Sequence, residues 1–253
     1  MNLEQNDGLR ELRIRPCGDR AVTITLSEEI NVRTNLLVQA LSEKILLAAD
    51  GAVTETVPSY SALVVLYDPA QISYNRLCSL IRELFSSCME QEKARARLLH
   101  IPCCYQARFG PDLAETAALL DLSAQDLVRL HCAVDYRIFM IGFLPGFPYL
   151  GGMDQRIAAP RLKSPRQIIP AGSVGIGGSQ TGIYPVASPG GWRLIGQTPL
   201  KLYDPSASDP ILCRAGDYIR FEPVTTCDFY DIRRDLEKGI FKVQTEEILC
   251  PSL

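Results

Sequence analysis

The sequence predicts an α+β protein in two parts: a small α/β sandwich over residues 1–95 and a β-barrel-like domain with a tail over residues 96–253. Three features carry this reading. The first part twice repeats the order strand, strand, helix, which suits helices packed on one face of a small sheet. The second part is dominated by the stretch Ile141–Thr198, dense in Gly and Pro and broken by short runs of Val, Ile and aromatic residues. Such a stretch makes tight turns, bulges and short strands, not helices. Between the parts lies a charge-rich run with Glu90, Glu92, Lys93, Arg95 and Arg97, which reads as a solvated helix end at a domain boundary.

The elements follow in order. Leu12–Leu26 alternates apolar and polar residues around Cys17-Gly18-Asp19-Arg20 and predicts a hairpin. Asn31 is placed to cap a helix carrying Val32, Leu36, Leu37, Ala40, Leu41 and Ile45 at helical spacing, with Asp50-Gly51 as its stop. Val53–Val57 and Ala62–Tyr67 read as strands, and a second helix is expected from Tyr74 to about Arg95. The second part opens with a strand, Leu98–Cys103, and two short helices near Pro111–Leu120 and Ser123–His131. From Val134 onward strands and turns are expected, ending with Ala215-Gly216-Asp217 and Tyr218–Phe221. The tail from Phe229 is amphipathic, either a helix packed back on the body or an interaction segment.

Composition removes several function classes. The net charge is −3 and no basic run occurs, which argues against nucleic acid and anionic membrane as partners. The acidic helix pair at Asp112, Glu115, Asp121 and Asp126 argues against a DNA-reading helix-turn-helix. Met1–Arg15 lacks the apolar core of a signal peptide, and Ile138–Leu150 is too short and too rich in Pro and Gly to span a bilayer, so a soluble cytoplasmic protein is expected. Nine scattered cysteines without a Cys-x-x-Cys pair, and two histidines, predict free thiols and no metal site.

The glycines invite a nucleotide reading that the residues refuse. Gly177–Gly182 has the outer spacing of a P-loop, but Ile183 and Tyr184 stand where Lys and Ser/Thr are required. Gly175-Ile176-Gly177 begins a dinucleotide fingerprint, but Gln180 replaces its last glycine. Backbone amides around Gly172 and Gly175 remain candidates for an anion nest. Polar groups among the glycines are candidates for a ligand pocket: Arg161 and Arg166 as carboxylate or phosphate forks, and Ser173, Gln180, Thr181 and Tyr184 as orienting groups. His131 precedes Asp135 and is either a general base oriented by that carboxylate or a core histidine with satisfied hydrogen bonds. No Gly-x-Ser-x-Gly elbow occurs, so no complete catalytic set is visible, which suggests a site shared with another subunit.

The run Asp135–Gly151 resembles the signature of the family that contains allophanate hydrolase subunit 1, the kinase inhibitor KipI and the B-type subunit of 5-oxoprolinase. Pro160-Arg161, Ser164-Pro165-Arg166, Pro170–Ile176, Gln180–Pro185, Ser188–Trp192, Gly196–Pro199 and Ala215–Asp217 match it in the same order. The resemblance implies a small N-terminal α/β domain followed by a cyclophilin-like β-barrel. It implies ATP-dependent opening of 5-oxo-L-proline to L-glutamate, with ATP and Mg2+ held jointly with a partner. The partners implied are a second cyclophilin-like subunit, of the KipA or C-type 5-oxoprolinase kind, and a third 5-oxoprolinase subunit. Alternatives within the resemblance are inhibition of a sensor histidine kinase and a carboxyltransferase component of a urea carboxylase-like system. Under the leading reading Arg161 and Arg166 form the cationic clamp, the Gly172–Gly178 backbone supplies oxyanion donors, and His131 is the candidate base.

Overall fold

The computed structural model describes residues 12–28, 30–88 and 95–249. The chain forms two compact units, one reaching to Arg95 and joined by Leu249, the other Ala96–Ile248.

In the first unit β1 (Arg13–Pro16), β2 (Ala21–Thr25), β3 (Val53–Pro58) and β4 (Ala62–Tyr67) form an antiparallel sheet in the order β1-β2-β4-β3. Every second residue of β2 and β4 is buried, so Val22, Ile24, Leu63 and Val65 share one face. Two helices, α1 (Val32–Ala48) and α2 (Tyr74–Cys88), contribute Leu37, Leu41, Leu77 and Ile81 to the same core. Asn31 caps α1 by accepting the Thr34 amide at 2.8 Å, and the helix ends where Asp50 and Gly51 turn left-handed. The stretch expected to continue α2, residues 89–94, lies outside the described residues.

The second unit runs β5 (Arg95–Cys103), α3 (Leu113–Leu119), α4 (Ala124–His131), β6 (Tyr136–Ile141), β7 (Pro148–Gly151), β8 (Arg166–Ile169), β9 (Ser173–Gly177), β10 (Gln180–Ile183), β11 (Ser188–Gly190), β12 (Arg193–Gln197), β13 (Tyr218–Pro223), α5 (Thr226–Glu237) and β14 (Thr245–Leu249). Eight strands make one mixed sheet in the order β12-β9-β10-β7-β6-β13-β5-β14, and β8 and β11 form a separate ribbon. The core uses one face of the sheet, with Ile101, Ile138, Leu150, Val174, Ile176, Ile183 and Ile219 packed against Leu127 and Leu130 of α4.

The closed cyclophilin-like barrel expected from the sequence is not formed. Closure requires β5 to pair with β12, but β5 holds β13 in parallel on one side and β14 on the other. Among the described residues, backbone pairing with β12 is left to Cys104 and Gln197, one residue on each side, joined by two hydrogen bonds of 2.8 and 3.0 Å. The expected tail resolves into two elements. Helix α5 is capped by Thr225 and Asp228, and its Phe229 packs on Phe109 at 4.4 Å between ring centres. Strand β14 then returns to the sheet, and residues 250–253 lie outside the described residues. Among the described residues no helix is long and apolar enough to cross a membrane.

Candidate functional site

The Gly- and Pro-dense stretch builds the outer face of β7, β10, β9 and β12. Strand alternation puts Val174, Ile176 and Ile183 in the main core, which leaves Gly175, Gly177 and Gly182 facing outward. There they meet a second apolar cluster of Phe147, Ile169, Tyr184, Trp192 and Leu194, with Leu144 and Tyr149 against it. A Cβ on Gly177 would stand 2.5 Å from the indole of Trp192, and one on Gly182 would stand 3.1 Å from both Phe147 and Trp192. These glycines are therefore the floor on which aromatic rings lie. The rings meet edge to face, Phe147 with Trp192 at 5.6 Å and with Tyr184 at 5.4 Å.

The expected amide cradle is not available. Gly172 turns left-handed and gives its N–H to the Tyr184 carbonyl at 2.7 Å, Ser173 gives its own to Pro170, and Gly178 gives its own to Ala159 at 2.7 Å. The residues between lie in β9, which is paired on both sides. A backbone whose donors are spent in a ladder cannot also hold an anion. Ser173 is buried, while Gln180 stays half-exposed at the start of β10.

His131 lies on the opposite, inner face. It has no exposed surface, and both ring nitrogens are engaged: Tyr105 Oη–H donates to Nδ1 at 2.8 Å, and Nε2–H donates to Thr181 Oγ1 at 2.9 Å. Thr181 donates onward to the Gly175 carbonyl at 3.1 Å, and the Cys132 thiol donates to Tyr105. This chain is saturated with a neutral imidazole. Burial depresses the pKa of His131 from 6.5 to about 3. Of the two readings open from the sequence, the geometry is that of a core histidine: it ties α4 to β10. Asp135 does not orient it, since that carboxylate takes a paired bond from Arg220 at 2.6 and 2.7 Å.

The two arginines have different settings. Arg166 on β8 reaches back to Asp112, the residue before α3, at 2.6 Å. That carboxylate is buried and also accepts the Leu194 amide at 2.7 Å, while the Asp112 amide donates to the Leu194 carbonyl at 2.9 Å. Arg166 is thus the cation of a largely buried pair, and its Nη1 is buried without a hydrogen-bond partner. Arg161 is exposed, with its guanidinium carbon 5.8 Å from the centre of the Trp192 ring. The carbonyl of Pro160, just before it, is held by Arg193 Nε at 3.0 Å, and Arg193 also pairs with Glu115 at 2.9 Å. Burial raises the pKa of Tyr149 and Tyr184 while the charge of Arg161 pulls both down, so its field reaches both phenols.

At the edge of the cluster Phe143 is 69% exposed and has φ +65. Leu144 N–H bonds the Gly142 carbonyl at 2.8 Å across it, which makes a tight three-residue turn. A bulky residue held left-handed and displayed to water is a strained position of the kind found at ligand and partner sites.

The structure brings together Arg161, Tyr184 and the glycines, and sets Arg166 nearby in an ion pair. It places Thr181 and His131 in the core instead. Residues missed from the sequence are Tyr149, Trp192, Phe143 and Asp112. Trp192 carried a signal, being the only Trp and following Gly190-Gly191, whereas Asp112 was indistinguishable from the other acids of its helix pair. Among the described residues no group of three His, Cys, Asp or Glu side chains is arranged to hold a metal ion.

Residues 12–213 match the family described as carboxyltransferase domain, subdomain C and D. The chain is 40% identical over 233 residues to the B-type subunit of 5-oxoprolinase from Bacillus subtilis (strain 168), covering 88% of this chain and 97% of that protein. Its structure is similar to that of TTHA0988, with TM-score 0.73 and 38% identity over 81% of this chain, which spans 40% of the TTHA0988 chain. The fold alone is shared with the urea amidolyase of Kluyveromyces lactis, with TM-score 0.78 at 20% identity, covering 98% of this chain and 17% of that one. The chain belongs to the carboxyltransferase subdomain C and D family, and within it to the B-type subunits of 5-oxoprolinase.

Proposed function

We propose that this chain is the B-type subunit of an ATP-dependent 5-oxoprolinase, which opens 5-oxo-L-proline to L-glutamate, and that it turns over substrate only with its partner subunits. The observation that carries this is the match to a protein of that name over nearly the full length of both chains. A lactam is a poor electrophile, so its opening calls for activation of the amide oxygen and then attack by water. The outer face supports a binding role in that chemistry, with the cation Arg161 over Trp192 of the aromatic cluster. The same reading places the protein in the cytoplasm, in keeping with the free cysteines among the described residues.

The residues of this chain do not fit Mg·ATP on their own. The glycine amides are committed, the P-loop lysine is missing, and no carboxylate cluster is present among the described residues. No step is therefore routed through nucleotide here, and nucleotide binding belongs in this reading to the assembled complex. The partners are a second subunit of the KipA or C-type 5-oxoprolinase kind and a third 5-oxoprolinase subunit. The position of similar units inside much longer chains supports an assembled site. The test mixes this chain with purified partners, ATP and 5-oxo-L-proline and measures glutamate. Glutamate release that depends on this chain is expected, and equal release in its absence would end the reading.

A further inference from the structure

Arginines of the second unit are matched by carboxylates with few exceptions. Arg97 pairs with Asp217, Arg156 with Asp154, Arg193 with Glu115 and Arg220 with Asp135. Arg166 pairs with Asp112 in a setting where the carboxylate is almost fully buried. Arg161 has no carboxylate partner among the described residues, and its recorded contact is the face of Trp192.

An unmatched surface cation is ordinary. The support beneath this one is not. Trp192 is buried, with its indole against Gly177 and its ring packed on Phe147 and Tyr184. Arg193 holds the carbonyl of Pro160, which fixes the chain where Arg161 leaves it. A guanidinium laid on a ring loses less freedom when it binds, and a planar fork suits a carboxylate. Tyr149 and Tyr184 belong to the same cluster as Trp192, each against Phe147 at 5.1 and 5.4 Å between ring centres. From Trp192 a chain of ring contacts runs through Phe147 at 5.6 Å to the strained, exposed Phe143 at 5.9 Å. Strain, an unmatched cation and a rigid aromatic support therefore belong to one cluster.

Arg166 is the poorer candidate for the same task. Its charge is already balanced by Asp112, so a second carboxylate there would set two anions against one cation.

We propose that Arg161, supported by Trp192 at the aromatic cluster, is a subsite for a small ring compound bearing a carboxylate, with the guanidinium taking that carboxylate. The assignment rests on the function proposed above and names which residue holds the acid group of the substrate. The ring of the ligand then lies toward the aromatic cluster, whose apolar surface suits methylene groups.

Trp192 is the only tryptophan, so its fluorescence reports directly on this face. The full chain is titrated with 5-oxo-L-proline, with pyrrolidin-2-one, which lacks the carboxylate, and with L-proline. A saturable change with 5-oxo-L-proline and none with pyrrolidin-2-one is expected. Arg161→Gln should abolish the response, Arg161→Lys should weaken it, and Arg156→Gln, at a paired arginine of the same unit, should leave it intact. In the reconstituted complex Arg161→Gln should raise KM for 5-oxo-L-proline by about 10- to 100-fold with a smaller change in kcat, as for loss of a charged hydrogen bond. No response of the wild-type chain to either carboxylate, or an unchanged response in Arg161→Gln, overturns the subsite. A response to L-proline but not to 5-oxo-L-proline keeps the subsite and overturns the substrate. Normal kcat and KM of the Arg161→Gln complex keeps the 5-oxoprolinase reading and overturns the subsite.

Discussion

At the scale of single residues, two adjacent glycines do opposite work. Gly177 lies under the Trp192 ring, whereas Gly178 has φ +69 and open space where a Cβ would point. Gly177→Ala should cost about 1–3 kcal/mol by overpacking and should also shift Trp192 emission. Gly178→Ala should cost about 1–2 kcal/mol from its left-handed backbone and leave emission unchanged. Urea unfolding followed by fluorescence checks both values and tells the two mechanisms apart. His131 makes a prediction of a different kind. Its folded pKa of about 3 lies below the ordinary 6.5, so the unfolded chain binds a proton in that interval that the native state refuses. The contribution of this residue is therefore intact above pH 6.5 and is lost as pH falls toward 3. His131→Gln should lower stability at neutral pH and give a shallower decline on acidification, read from midpoints of urea unfolding across that range.

At the scale of elements, the sequence spoke clearly where one residue decides a boundary. Asn31 caps α1, Ser123 caps α4, and Gly51 stops a helix, because each of these acts through its own neighbours. Periodicity also located β2, β4 and both helices of the first unit. What stayed hidden was any role that depends on distant contacts. Gly175 and Gly177 could be counted but not seen to carry a tryptophan, and the amides of that stretch could not be known to be spent in the ladder. Arg161 and Arg166 looked equivalent, and only Asp112, some fifty residues earlier in the chain, separates them. That carboxylate joins α3, β8 and β12 in one contact. Asp112→Ala strands both the Arg166 guanidinium and the Leu194 amide, and should cost about 3 kcal/mol. Asp112→Asn keeps an acceptor for Leu194 and should cost less. Thermal and urea unfolding of the two variants gives the comparison.

At the scale of the whole molecule, each unit has its own main core, and among the described residues the two share no member. One is built around Leu41 and Val65, the other around Ile176 and Ile219. Leu41 and Ile219 are both fully buried, so Leu41→Ala and Ile219→Ala should each cost about 2–5 kcal/mol. Their effects should add to within about 0.5 kcal/mol in the double variant, since the sites share no partners. A marked departure from additivity in urea unfolding would show that the two cores are coupled. The sequence anticipated an α/β part followed by a strand-rich part because hydrophobic period and turn composition are local properties. Closure of the second sheet was misjudged because it depends on which strand takes the last free edge of β5, and the answer, β14, lies at the far end of the chain.

That edge has a consequence for motion. Among the described residues the sheet pairs with itself again only at Cys104 and Gln197, through two hydrogen bonds, whereas β9 is held along its length by β10 and β12. A seam one residue wide can part without disturbing the ladders on either side, so it is the natural place for the second unit to breathe. Amide hydrogen exchange would record this as a weak line through an otherwise protected sheet, with Cys104 and Gln197 exchanging well ahead of Val174 and Ile176.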